Sequence, residues 1–128
     1  MDLSLDVRKG IHSVKQALEA FTAPEELADK YRCDQCHKSV NATKRFSIEQ
    51  TPMVLTVHLK RFGIFGNKIN KPISYAERLQ LGRYMSERTA DTDAYRLYAI
   101  VHHYGSGPNV GHYLSLIHIS EPTRLRRI

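Results

Sequence analysis

The chain has 128 residues and a mass of 14.7 kDa, which leaves room for one small domain, since chains this short rarely divide into two cores. Hydrophobic residues at 41% and charged residues at 25% exclude a disordered tail, a collagen-like fibre and a membrane protein, and no apolar run approaches the ~20 residues that a bilayer crossing needs. The formal net charge of +6 is unevenly spread: residues 38–71 hold seven basic residues against one acidic, residues 1–37 are slightly acidic, and residues 114–128 form a basic end.

At the start of the chain, Leu3, Leu5 and Val7 alternate with Ser4 and Asp6, the period of a half-buried strand. No basic region with a long apolar core precedes it, so neither a secretory signal nor a transit peptide is expected. Ser13-Val14-Lys15-Gln16 has the form of a capping box. Val14, Ala17, Leu18 and Phe21 follow at helical spacing, which predicts a short helix from 13 to about 21, halted before Pro24. A second helical turn is expected through Glu25, Glu26 and Leu27.

Beyond Cys33 and Cys36 the pattern becomes one of strands. Phe46 and Ile48 alternate with polar neighbours, which marks Phe46 as a core residue. Met53 to Leu59 forms the most apolar strand candidate, begun after Pro52. Turns at Phe62-Gly63 and Gly66-Asn67 lead to short strands near Ile69, Ile73 and Leu79 to Leu81. A polar loop from Ser86 to Asp93 precedes a long strand from Tyr95 to His103, with Leu97, Ala99 and Val101 as its buried side. Gly105 to Asn109 reads as a loop, and Tyr113 to Ile119 as a strand pairing back. One or two short helices with five or more strands predict an α+β fold, mostly antiparallel.

Two cysteines at C-x-x-C spacing do not make the disulfide framework of a secreted mini-protein, so a reducing, intracellular compartment is the default. A redox pair needs a helix after the first cysteine, yet His37 to Thr43 is a poor helix former. Half of a tetrahedral zinc site fits better, with plain loop cysteines as the alternative. Of the histidines, His58 reads as a surface or satisfied core residue, and His12, His37 and His118 have no evident partner. His112 follows Gly111 after a glycine-bearing loop, where an imidazole can face a cleft; a turn histidine is the bland alternative. The basic residues Lys38, Lys44, Arg45, Lys60, Arg61, Lys68 and Lys71 are interleaved with Phe46, Phe62 and Phe65. A solvated or protein-facing surface is preferred here to a nucleic-acid groove.

Taken in order, Tyr31-Arg32-Cys33-Asp34-Gln35-Cys36, Ala42 to Ile48, Val54 to Phe62, Tyr98 to Gly105 and Gly111-His112-Tyr113 resemble the ubiquitin-specific protease family of deubiquitinases. Several separated motifs in register carry more weight than one match. The resemblance spans residues 1–115 and implies a fragment of a papain-like cysteine protease domain, comprising parts of its fingers and palm. It further implies that Cys33 and Cys36 are half of a four-cysteine zinc site, that His112 is the catalytic histidine, and that Gly105, Gly107 and Gly111 belong to the loop over the ubiquitin C-terminal tail. Ubiquitin and ubiquitinated proteins are the implied partners, with nucleic acid and membrane not expected, in the nucleus, nucleolus or cytoplasm.

The family's nucleophilic cysteine and orienting Asp or Asn have no counterpart in these residues, so the fragment is expected to be inactive. Residues 116–128 diverge from the family; they resemble translated sequencing-adapter read-through, a genuine basic tail being the alternative. Two rival functions are a basic zinc-dependent nucleic-acid-binding module and a catalytically silent ubiquitin-binding protein.

Overall fold

The computed structural model describes residues 1–8, 10–63, 66–87, 94–117 and 126–127. Its first strand, β1 (Asp2–Asp6), is followed by helix α1 (Val14–Thr22) and four two-residue strands: β2 (Glu25–Glu26), β3 (Tyr31–Arg32), β4 (Ser39–Val40) and β5 (Thr43–Lys44). Then come β6 (Thr56–Lys60), β7 (Ser74–Tyr75), β8 (Arg78–Gln80), a 3-10 turn at Gly82–Tyr84, β9 (Ala94–Arg96), β10 (Ala99–Gly107), β11 (Val110–Ile117) and β12 (Arg126–Arg127). Among the described residues β1 pairs with β6 in parallel, and the other five ladders, β2-β5, β3-β4, β7-β12, β8-β9 and β10-β11, are antiparallel. The α+β expectation with mostly antiparallel strands is met.

The core forms where α1 lies across the β1-β6 ladder. Leu3 and Leu5 point from alternate positions of β1, Ala17 and Leu18 from one face of α1, and Ile48, Leu81, Tyr84 and Met85 close the cluster. Burying a side chain such as Leu5 or Leu18 contributes about 1.5–3 kcal/mol, and both are fully buried. Ser13 caps the helix as expected: its Oγ accepts from the Gln16 N–H at 3.1 Å, while the Gln16 side chain reaches back to accept from the His12 N–H at 2.8 Å. The helix ends one residue later than predicted, at Thr22, whose hydroxyl turns back to the Leu18 carbonyl at 2.9 Å.

Several local expectations are corrected. Glu25–Glu26 is a strand, not a helical turn, because Pro24 ends the helix and an extended Glu25 meets Lys44 across the ladder, with an ion pair at 3.5 Å. Phe46 is not core: the ladder stops at Lys44, and the ring, 49% exposed, stacks on Phe21 at 5.3 Å beneath the Lys44 ammonium. The strand expected from Met53 begins only at Thr56, and Met53 is fully exposed. The long strand from Tyr95 divides in two because its pairing partner changes from β8 to β11 around Leu97 and Tyr98. Its buried side is also misplaced: Ile100 is buried and Val101 is 66% exposed.

Most of the expected loop from Ser86 to Asp93, together with Phe65 and His118, lies outside the described residues. Arg126–Arg127 pairs with Tyr75 and Ser74 of β7. These two residues therefore join the body through their backbone.

Candidate active site and metal knuckle

His112 lies in the β10-β11 hairpin, and the geometry of that hairpin differs from the open loop expected at Gly105 to Asn109. β10 runs through Gly107, only Pro108 and Asn109 turn, and β11 starts at Val110. Tyr104 faces His112 across the ladder and Gly107 faces Val110, so two residues of β10, Gly105 and Ser106, oppose Gly111 alone. One extra residue in one strand is a β-bulge, which bends the strand and re-aims side chains beside it. His112, Tyr104, His102 and Leu114 share one face of the hairpin through this register, and the His102 and Tyr104 rings stack at 6.1 Å. The His112 side chain is exposed.

The opposite face explains the glycines. His103 faces Tyr113, and their ring centroids are 4.7 Å apart, while Phe62 meets His103 edge-on at 5.3 Å. A Cβ on Gly111 would stand 2.2 Å from His103 Nε2 and 2.7 Å from the Tyr104 carbonyl. A Cβ on Gly105 would stand 2.2 Å from the Val110 carbonyl. Glycine at both positions is thus required by close approach of backbone and ring. Gly107 is less restricted: a Cβ there would stand 3.6 Å from the Gly66 carbonyl, an ordinary contact. Among the described residues, both ring nitrogens of His103 are buried without a hydrogen-bond partner. Such an orphan is uncommon in native structures, and no local pattern in the sequence marks His103.

The cysteines occupy the turn of a separate hairpin, β3-β4. The Cys33 N–H donates to the Lys38 carbonyl at 3.0 Å and the His37 N–H to the Cys33 carbonyl at 2.8 Å, with His37 in the left-handed region at φ 56. This tight turn aims the backbone N–H groups of Cys36 and then Gln35 at the Cys33 sulfur, and with the Cys36 thiol they lower the Cys33 pKa below the usual thiol value. A turn that stabilises thiolate suits a zinc ligand pair. Among the described residues no group of three or more His, Cys, Asp or Glu converges on one point.

The basic segment is less free than its composition implied. Arg61 Nη1 donates to the carbonyls of Ile69 and Lys71 at 2.9 and 2.8 Å, and burial lowers its pKa. Lys68 Nζ donates to the carbonyls of His103 and Gly105 at 2.7 and 3.0 Å. Lys44 is paired to Glu25, so at least these three of the seven basic side chains are engaged within the fold. No described helix is long and apolar enough to cross a membrane.

Residues 19–124 match the family model described as ubiquitin carboxyl-terminal hydrolase. The chain belongs to that family. It is 44% identical over 121 residues to ubiquitin carboxyl-terminal hydrolase 25 of Arabidopsis thaliana, covering 91% of the chain and 18% of that protein. It is 42% identical over 123 residues to ubiquitin carboxyl-terminal hydrolase 42 of Homo sapiens, covering 94% of the chain and 9% of that protein. The enzyme numbered 36 in Drosophila melanogaster is 40% identical over 119 residues, 90% of the chain and 11% of the relative. The chain therefore spans less than a fifth of the length of these relatives.

Among solved structures it is similar to the SAGA DUB module of Ubp8, Sgf11, Sus1 and Sgf73 bound to monoubiquitin, with a TM-score of 0.80 and 31% identity over 99% of this chain and 31% of that one. The same module bound to ubiquitin aldehyde gives a TM-score of 0.78 at 29% identity, over 99% of this chain and 32% of that one. The fold is thus the expected fragment of the papain-like protease domain of this family.

Proposed function

We propose that the chain is a segment of a thiol-dependent deubiquitinase that hydrolyses the isopeptide bond between the ubiquitin C-terminus and substrate lysines, with His112 as the catalytic imidazole. The observation that carries this reading is the bulged hairpin that presents His112 directly after Gly111, in a chain whose fold is similar along nearly its full length to a protein solved with monoubiquitin. An imidazole in that position takes the proton of a cysteine thiol supplied from outside these residues and returns it to the leaving lysine amine. Gly105, Gly107 and Gly111 line the route of the ubiquitin tail, where missing side chains let an extended peptide approach the backbone.

Cys33 and Cys36 would hold one half of a structural zinc site, with two further ligands from elsewhere in the full-length protein. Bound zinc would cross-link the fingers without entering the reaction. Both cysteines are then committed to metal, so the 128 residues alone are inactive. A reducing compartment, nucleus or cytoplasm, suits a thiol enzyme of this kind.

A reporter released from the ubiquitin C-terminus tests the reading. The full-length protein is expected to turn it over and the 128-residue chain is not. His112→Ala in the full-length protein should cost at least about 10³-fold in kcat. Capture of monoubiquitin by a full-length protein without turnover would make it a silent ubiquitin binder, and binding to RNA or DNA that falls steeply with salt would favour the nucleic-acid module.

A further inference from the structure

The bulge beside His112 is held from outside its own hairpin. Phe62 and Lys68 face each other as an antiparallel bridge, and the turn between them is closed by the Gly63 N–H to the Asn67 carbonyl at 2.9 Å and the Gly66 N–H to the Gly63 carbonyl at 3.0 Å. This turn meets β10 at three places. Phe62 packs edge-on against the His103 ring, the Gly66 carbonyl approaches Gly107, and the half-buried Lys68 ammonium bonds the carbonyls of both His103 and Gly105. Gly105 is one of the two residues that oppose Gly111 alone at the bulge, where a strand leaves its ladder and its backbone groups need other partners.

We propose that Lys68 is a positioning residue for His112. Its ammonium bridges two carbonyls on either side of Tyr104, the residue paired with His112, and so fixes how far β10 bends at the bulge. That bend decides where Gly111 rests against the half-buried His103 ring, and Gly111 is the backbone neighbour of His112. Lys68 touches neither the imidazole nor any reacting atom. It acts through the backbone, by charge-assisted bonds stronger than those between neutral groups. Arg61 supports it by gathering the carbonyls of Ile69 and Lys71, which keeps the chain after Lys68 on course.

The catalytic meaning of the proposal rests on the reading of His112 given above, and two readouts keep them apart. In the 128-residue chain, amide exchange of residues 103–113 and the imidazole NMR signals of His112 report the hairpin directly. Lys68→Met keeps the stem and removes the donors; it should speed exchange across 103–113 about tenfold and displace the His112 signals, with the amides of Leu5 and Leu18 unchanged. Lys68→Arg, which retains donors and charge, should restore most of both. Lys15→Met, an equal charge change on the exposed face of α1, should alter neither.

Unchanged exchange and unchanged His112 signals in Lys68→Met would overturn the proposal, as would a loss that Lys68→Arg fails to rescue or one spread equally to Leu5 and Leu18. Capture of monoubiquitin by the wild-type chain tests the other reading. Failure of that capture alongside the expected exchange pattern would count against ubiquitin as partner while upholding Lys68 as the residue that positions His112.

Discussion

The unit around α1 and the hairpin that carries His112 are built in opposite ways. In the first, Leu3, Leu5, Ala17 and Leu18 are buried within the chain itself, and the helix is capped and terminated by its own side chains. In the second, β11 is exposed along its length, and Leu116 and Tyr113 remain 52% and 60% exposed. Order in the hairpin comes from hydrogen bonds and close backbone packing, through the bulge, the His103 ring and Lys68. A scaffold can be specified by hydrophobic burial, which is tolerant of detail, whereas a group that must meet a reacting atom needs directional contacts.

Deleting side-chain volume breaks this comparison most severely. Leu18→Ala should cost about 2–5 kcal/mol, the range for large-to-small changes in a filled core. Leu116→Ala should stay within about 0.5 kcal/mol, as for surface changes. Urea denaturation followed by circular dichroism measures both. Equal losses would mean that the hairpin shares the core after all.

What was legible in the sequence follows the same division. The Leu3-Leu5-Val7 alternation, the Ser13 cap and the helical spacing to Phe21 are local patterns, and each lies where expected to within a residue or two. The C-x-x-C turn and Gly111-His112 stood out because their chemistry is carried by neighbouring residues. At Phe46 and Val101 the structure departs from the expectation because alternation gives the period of a strand and not its phase. The phase depends on which ladder the strand joins, and the ladder at Lys44 ends before Phe46. In the sequence Lys68 is one charge among seven, since its partners lie 35 and 37 residues away and bind through carbonyls, which every residue type presents alike. His103 was hidden for a related reason: its neighbours at Gly111 and Gly105 are marked only by glycine, a residue equally at home in a turn.

A smaller effect is expected from adding one carbon to the hairpin. Gly111→Ala drives a Cβ against His103 Nε2 and the Tyr104 carbonyl, and the backbone has little room to give way, so the hairpin should lose about 1–3 kcal/mol. Amide exchange locates the loss: residues 103–113 should exchange faster, while Leu5 and Leu18 keep their protection. Gly10→Ala supplies the contrast. Its site is open and only the left-handed backbone, φ +71, resists the side chain, which costs about 1 kcal/mol. A Gly111→Ala loss spread evenly over both regions would show that they unfold as one unit.

The smallest effect distinguishes the regions by pH. Hydrogen bonds from the Arg8 side chain hold the Asp6 carboxylate down to about 2; burial, the next largest effect, opposes them, and the Arg8 backbone N–H and the charges of Arg8 and Lys60 add to the lowering. Lys60 is the residue paired with Asp6 across the β1-β6 ladder, so this charge cluster belongs to the α1 unit. A carboxylate whose pKa is depressed in the folded state adds stability above its unfolded value, 3.8, and loses it as pH falls through the folded value. Asp6 and Arg8 are both well exposed, so solvent screening limits the contribution to about 1 kcal/mol or less. Asp6→Asn should therefore be less stable than wild type by that amount above about pH 5, with the difference shrinking as pH falls and gone by about pH 1. The difference should shrink in 1 M salt, where the screening length falls to about 3 Å. Exchange of the hairpin amides 103–113 should be the same in both proteins at each pH, and a pH-dependent difference there would tie the Asp6 cluster to the His112 hairpin.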